Sequence, residues 1–369
     1  MPSPVGNEEE YVLDAMRSGQ LAGDGKYTAL CHSWLERSLR CEAALLTQSG
    51  TAALEMAAVL CGIKPGDEII MPSFTFVSTA NAFVLRGAVP VFVDIDAHSL
   101  NLDPDLVEAA VTSKTKAIVP VHYGGVACDM DALNAIAARH KLFVIEDAAH
   151  AMLSKWGDKH LGTIGHVGCL SFHETKNVIA GEGGALLIND TALVDRARII
   201  WQKGTNRSDF NAGKVDRYTW VDQGSSYLPS ELTAAYLYGQ LEQAKNIIAR
   251  RVEVCERYSS ALSCLEARGQ AELPLLNSDN SNGHLFYLIL EDEDVRNAYI
   301  EHMRSAGIMC AFHYVPLHSS EGGSRFARFS GDLPHTNSIS KRLVRLPLFY
   351  GLTNDQIDQI TNHTIAFFK

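Results

Sequence analysis

Short apolar runs alternate with amphipathic stretches through the first half of the chain. The runs at 43–46, 68–71, 89–93, 117–122, 142–145, 167–172 and 185–188 are rich in Val, Ile, Leu and Ala and are bounded by Gly, Pro, Asp or Ser, the mark of buried strands. The stretches between them read as helices at 8–20, 27–40, 52–60, 75–86, 104–111 and 131–140. Leu30, Trp34, Leu35 and Leu39 form a stripe on the second of these, while Gly62 and Gly87 close two others. Strands that are apolar throughout need cover on both faces, and strands separated by helices pair in parallel. The pattern predicts an α/β fold, with a mostly parallel central sheet and helices on both faces. A helix at 190–201, a long polar loop at 203–217 and a long helical stretch at 230–262 follow. Alternation then resumes with a strand at 285–290, a helix at 295–306 and a strand at 309–312, a smaller C-terminal α+β domain. The domain change falls near 240, dividing the chain into 1–240 and 241–369.

Composition narrows the class. At 369 residues, two domains are expected. Apolar residues at 46% and charged residues at 20% are ordinary for a soluble globular protein. A net charge of −11 argues against nonspecific binding of nucleic acid. No run approaches the roughly 18 apolar residues of a membrane span, and the polar, acidic first ten residues do not resemble a signal peptide. A cytoplasmic location is the expectation. The eight cysteines are scattered without a CxxC pair, which suggests reduced thiols rather than disulfides or zinc. His313 and His318, five apart, suit zinc poorly without a third ligand.

Open α/β sheets place their sites beyond the carboxyl ends of the strands. Here those ends carry residues 72–76, Asp94, Asp96, His122, Asp147, His150, Ser171 and, in the next turn, Lys176. Ser49, Gly50 and Thr51 open a helix, where free N–H groups, the helix dipole and hydroxyls make an anion cradle. Each residue has a plainer reading: Ser49 or Thr51 as an N-cap, Asp147 as a helix cap, Lys176 as a solvated turn lysine. Together they fit one cofactor. Asp147 ends an apolar strand, where its charge would need a cation such as a pyridinium nitrogen. Phe74 or Phe76 could stack on an aromatic ring, and Ser49, Thr51 and Ser171 could hold a phosphate. His150 could bond a ring hydroxyl, and Lys176 could form an imine. Those are the needs of pyridoxal 5′-phosphate.

At this point the chain resembles the DegT-like sugar-nucleotide aminotransferases, which are fold-type I enzymes using pyridoxal phosphate. The motifs are Gly50-Thr51-Ala52, Pro72-Ser73-Phe74-Thr75-Phe76, Glu146-Asp147-Ala148-Ala149, Ser171-Phe172-His173 leading to Lys176, Glu182-Gly183-Gly184, and His313-Tyr314 with Pro316-Leu317-His318. The segments 172–177, 203–208 and 224–228 are similar to the WecE-like branch, the dTDP-4-keto-6-deoxyglucose aminotransferases. The resemblance implies that Lys176 is the Schiff-base lysine and proton shuttle, that Asp147 pairs with the pyridine nitrogen, and that Phe76 stacks on the ring. It implies Gly50, Thr51, Ala52 and Ser171 at the phosphate, and His150 where many relatives have glutamine. Relatives bring an Asn or Arg from the partner subunit to the phosphate; Ser226 stands in that region here. Lys203, Arg207, His313, Tyr314 and His318 are implied on the substrate side. The implied reaction moves an amino group from L-glutamate to C4 of a dTDP-linked keto-sugar, in a homodimer with shared active sites. Amination at C3, or a fold kept for binding or regulation without catalysis, are the competing expectations. Lys176 speaks against the related dehydratases, which carry histidine there.

Overall fold

A computed structural model describes residues 4–275 and 280–369. Among these, eight strands form one sheet. Their spatial order is Ala43–Thr47, Gly184–Ile188, Val167–Ser171, Phe143–Asp147, Thr115–Ile118, Glu68–Pro72, Val89–Val93 and Arg328–Phe329. Gly184–Ile188 is antiparallel to both its neighbours, and every other pairing is parallel. Side chains on successive residues enter different cores. Ala43 and Leu45 pack with Ile69, Met71 and Cys169 on one face, under the helices Gly50–Leu60 and Thr191–Trp201. Ala44, Leu46, Leu170 and Leu187 pack on the other, against Lys26–Leu39 and Glu231–Glu242. That period of two with both faces buried is why the strands read as unbroken apolar runs. All eight cysteines are free, five of them buried. No helix among the described residues is long and apolar enough to cross a membrane.

The structure departs from the sequence pattern where backbone hydrogen bonding is redirected. The strand expected at 117–122 is regular only to Ile118: Pro120 has no N–H to donate, and pairing resumes as a single bridge between Val121 and Asp147. The helix expected at 75–86 begins at Val77, with Phe76 extended at φ −75° and ψ 149°. Leu317 N–H donates to the Ser73 carbonyl at 3.0 Å, and that contact from the C-terminal region holds the segment open. The helical stretch expected at 230–262 is formed by two helices, Glu231–Glu242 and Ala244–Ala267, that meet at Gln243.

The C-terminal region has a three-stranded antiparallel sheet, ordered Tyr287–Ile289, Leu343–Arg345, Ala311–Phe312. Between its last two strands the chain returns to the large sheet. Arg328–Phe329 pairs in parallel with Val89–Val93, and the Arg328 guanidinium binds the Glu68 carboxylate at 2.7 Å. Asp94 then accepts from His335 N, Thr336 N and Thr336 Oγ1 at the start of the helix Pro334–Arg342. This double attachment holds Ala311–Phe312 and Leu343–Arg345 above the carboxyl ends of the large sheet.

Beneath those ends lies a buried carboxylate, Glu146. It accepts from His122 Nε2 at 2.9 Å and from the backbone N–H groups of Gly162, Ile164 and Gly165 at 2.7, 2.7 and 2.6 Å. Burial disfavours the His122 cation, yet contact with Cys128 and Glu146 pushes its pKa up to about 10. Removing a carboxylate so completely engaged leaves three backbone donors without partners. Glu146→Ala is expected to cost about 3–5 kcal/mol, read as a fall in the denaturant midpoint at unchanged m-value. Glu146→Gln, which keeps one acceptor oxygen, should cost distinctly less.

Candidate active site

Phe143–Asp147 and Val167–Ser171 are parallel neighbours, with Asp147 opposite Cys169. Beyond Ser171 the chain turns back on itself: Ala180 N–H donates to the Phe172 carbonyl at 2.7 Å and Lys176 N–H to the His173 carbonyl at 2.9 Å. The reversal ends at Gly184, where an added Cβ would lie 2.4 Å from the Ser49 backbone. Gly50 is equally constrained, because a Cβ there would lie 2.8 Å from Ser171 Cβ. Two glycines therefore let the helix start at Gly50, the strand end at Ser171 and the lysine turn converge.

A cavity of about 480 Å³ opens there. Its wall includes Gly50, Thr51, Phe76, Thr79, Asp147, His150, Ser171, Lys176, His313 and Tyr314, with His284 and Arg345 from the C-terminal region. Asp147 is 5% exposed. It accepts from Thr79 Oγ1 at 2.7 Å and from Ala149 N–H at 3.2 Å, and among the described residues it makes no ion pair. A buried carboxylate with only neutral donors is costly, and a cation placed in the cavity beside it would offset that cost. Phe76 is 57% exposed, so a ring face remains free for a planar group. Gly50 and Thr51 begin an eleven-residue helix, and Thr51 Oγ1 donates to Ser78 Oγ at 2.7 Å at that end. A pyridine ring with a protonated nitrogen, a phosphate and an aldehyde matches these groups one for one.

Charge in the cavity is set by burial. Desolvation pushes the Lys176 amine down to about 8, with Arg345 acting in the same direction and Asp147 against it. Burial, reinforced by the Lys176 charge, holds the His150 and His284 imidazoles well below their ordinary range. His313 falls too, through burial and the nearby Arg345. A guanidinium remains a cation in such surroundings, and the buried Nε of Arg345 has no hydrogen-bond partner. No carboxylate among the described residues pairs with it.

The structure brings Gly50, Thr51, Phe76, Asp147, His150, Ser171, Lys176, His313 and Tyr314 to this cavity. Ala52 is set back from it: its N–H is capped by Ser49 Oγ at 3.1 Å, so the plainer reading of Ser49 holds. Lys203, Arg207, Ser226 and His318 also lie off this wall. His318 is engaged elsewhere, with Ser73 Oγ at 2.7 Å on Nδ1 and Asn337 Oδ1 at 3.1 Å on Nε2. His313 instead meets Tyr123, whose hydroxyl shares a hydrogen bond with Nδ1 at 3.0 Å. Lys203 and Ser226 lie in sequence-distant segments that meet, linked through the Lys203 N–H bond to the Ser225 carbonyl at 3.1 Å. Sequence reasoning missed Thr79, His284 and Arg345. Arg345 did leave a signal, a lone charge within Leu343-Val344-Arg345-Leu346.

The DegT/DnrJ/EryC1/StrS aminotransferase family model matches residues 3–364. The spore coat polysaccharide biosynthesis protein SpsC of Bacillus subtilis (strain 168) is 34% identical over 366 residues, covering 96% of this chain and 93% of SpsC. A DegT DnrJ EryC1 StrS aminotransferase from Brucella abortus superposes with a TM-score of 0.89 at 29% identity, covering 98% of this chain and 95% of that one. Spr1654 of Streptococcus pneumoniae, solved in its PLP form, superposes with a TM-score of 0.90 at 25% identity, covering 99% of this chain and 97% of its own.

The lowered amine pKa has a direct consequence. In cofactor-free protein the nucleophilic, neutral form of Lys176 grows as pH rises and is half-formed at about 8. Acylation of Lys176 by an amine-directed reagent, followed by peptide mass spectrometry, should rise through that pH and level off above it. An ordinary lysine would reach the same point only near about pH 10.4.

Proposed function

Starting from the fact that the chain belongs to the DegT/DnrJ/EryC1/StrS aminotransferase family and uses pyridoxal 5′-phosphate, we propose that it moves the amino group of L-glutamate to C4 of dTDP-4-keto-6-deoxy-D-glucose. The product is a dTDP-4-amino-4,6-dideoxyhexose. The observation that carries this reading is the meeting in one cavity of Lys176, Asp147 and Arg345, which has no ion pair among the described residues. The choice of sugar nucleotide rests on the segments 172–177, 203–208 and 224–228.

When bound, the cofactor supplies an electrophilic carbon and an electron sink for the amino-group transfer. Asp147 would hold its ring nitrogen protonated, and Thr79 Oγ1 fixes the carboxylate that does so. Gly50, Thr51 and Ser171 would hold the phosphate, and Phe76 would cover a ring face. His150 would donate to the ring oxygen. Lys176 Nζ would tether the cofactor and, when free, would carry a proton between substrate carbon and cofactor. Its pKa of about 8 suits an amine that must give and take that proton near neutral pH. Arg345 would take a carboxylate of the donor by charge-assisted hydrogen bonds. His313 and Tyr314 would face the sugar.

The protein is proposed to act as a homodimer with shared sites. Leu85 at 71% exposure and Trp220 at 78% are large apolar side chains that a second copy would cover. Ser226, Lys203 and Arg207 lie off their own chain's cavity, which suits service in the partner's, where the two basic residues would offset the nucleotide's charge.

Glutamate added to the holoenzyme should bleach the cofactor's visible band, and dTDP-4-keto-6-deoxyglucose should restore it. NMR of the product should place the amine at C4 and assign the galacto or gluco configuration; an amine at C3 would overturn the proposed acceptor chemistry. Lys176→Ala should lose turnover altogether. Arg345→Gln should raise KM for glutamate by about ten- to a hundredfold, the value of a hydrogen bond to a charged group, with a much smaller effect on the sugar nucleotide.

A further inference from the structure

His284 carries no motif in the sequence, yet it lies against the residue that departs from the family pattern. Its ring stacks on His150 with centroids 4.2 Å apart and an interplanar angle of 25°. Both side chains are buried, at 5% and 8% exposure. The hydrogen bonds around them fix where each proton resides. Asn282 Nδ2 donates to the carbonyls of His150 and Met152 at 2.8 and 3.0 Å, so its Oδ1 is left to accept from the His284 backbone N–H at 3.1 Å. Asn177 Nδ2 donates to the Asn282 carbonyl at 2.8 Å, which leaves Asn177 Oδ1 facing His284 Nδ1 at 2.7 Å. An amide oxygen only accepts, so His284 carries its proton on Nδ1. His150 is the reverse: its Nδ1 accepts from Gly124 N–H at 3.3 Å, so a neutral His150 carries its proton on Nε2. That Nε2 lies 3.5 Å from the Tyr314 hydroxyl, at the cavity wall.

We propose that His284 is a positioning residue: with Asn177 and Asn282 it clasps His150 so that a neutral imidazole presents its Nε2–H to the ring oxygen of the cofactor. Asn177 follows Lys176 directly, so one network ties the lysine turn, the histidine and the C-terminal region together. The charged and titratable groups facing His150 are Lys176, His284, His313 and Arg345, and each disfavours its cation. Tyr123 and Tyr314 also pack against its ring network. A neutral ring can give one hydrogen bond without adding positive charge beside Lys176. The inference rests on the reading of His150 as the ring-oxygen partner.

The test is a pH titration of the holoenzyme's visible absorbance. An N–H donor stabilises negative charge on the ring oxygen, so losing it leaves that oxygen more basic and raises the midpoint of the proton shared at the Lys176 end. His150→Phe should raise the midpoint by about one unit, the value of one hydrogen bond. His284→Phe, which keeps an aromatic ring but loses the bond to Asn177, should raise it by part of that. The double variant should titrate like His150→Phe alone, because His284 acts only through His150. His284→Asn, whose amide nitrogen can replace Nδ1, should restore the wild-type midpoint. An unchanged midpoint in His284→Phe, or an equal further shift on the His150→Phe background, would overturn the proposal. Nitrogen-15 NMR of the wild-type histidine rings provides a check free of folding effects: protonated Nε2 on His150 and protonated Nδ1 on His284 support the clasp, and any other pattern refutes it. A reconstituted wild-type protein with no visible band would instead refute the reading of the cavity itself.

Discussion

Two consecutive carboxylates at the end of one strand, Glu146 and Asp147, enter opposite sides of the sheet and meet opposite environments. Alternation along a strand forces the separation. Glu146 finds four donors and becomes a structural anchor, tying His122 and the loop from Gly162 to Gly165 beneath the site. Asp147 finds a hydroxyl and one backbone N–H, with no ion pair among the described residues. The first carboxylate is fully engaged by the fold; the second has two neutral donors and room beside it in the cavity for a cation. The proposed role of Asp147 depends on that difference, since a carboxylate already paired within the protein would be poorly placed to hold a pyridine nitrogen protonated.

The same economy governs the cations. The cavity surrounds Lys176 with imidazoles held neutral by burial, so hydrogen-bond donors are available without extra positive charge. Arg345 is the exception. A guanidinium does not give up its charge on burial in the way an imidazole does, so it waits for an anion. Because Arg345 comes from the C-terminal sheet and Asp147 from the central one, the proposed cofactor and donor would together bridge the two. The attachments at Arg328–Glu68 and Asp94–Thr336 make that bridge a matter of fixed geometry.

Much of this is legible in the order of residues. Doubly buried strands announce themselves as continuous apolar runs, and the polar residues that follow each run mark the carboxyl ends where α/β sheets place their sites. Lys176, Asp147, Ser171, Thr51 and Phe76 can be collected in that way. His284 cannot, because its meaning lies in a stack on a residue more than a hundred positions away. Arg345 stands out only as a lone charge among apolar neighbours. Lys203, Arg207, Ser226 and His318 group with the others by motif, and the fold separates them from the same chain's cavity.

Sequence alone determined the class of sheet and singled out the lysine and the carboxylate as candidates, because doubly buried strands and strand-end chemistry are local properties. Tertiary structure decided which histidine meets which partner, which carboxylate remains unpaired, and which arginine faces the lysine. Those outcomes depend on strands that are neighbours in space and remote along the chain. Register and crossover place them, and no local pattern of residues encodes either.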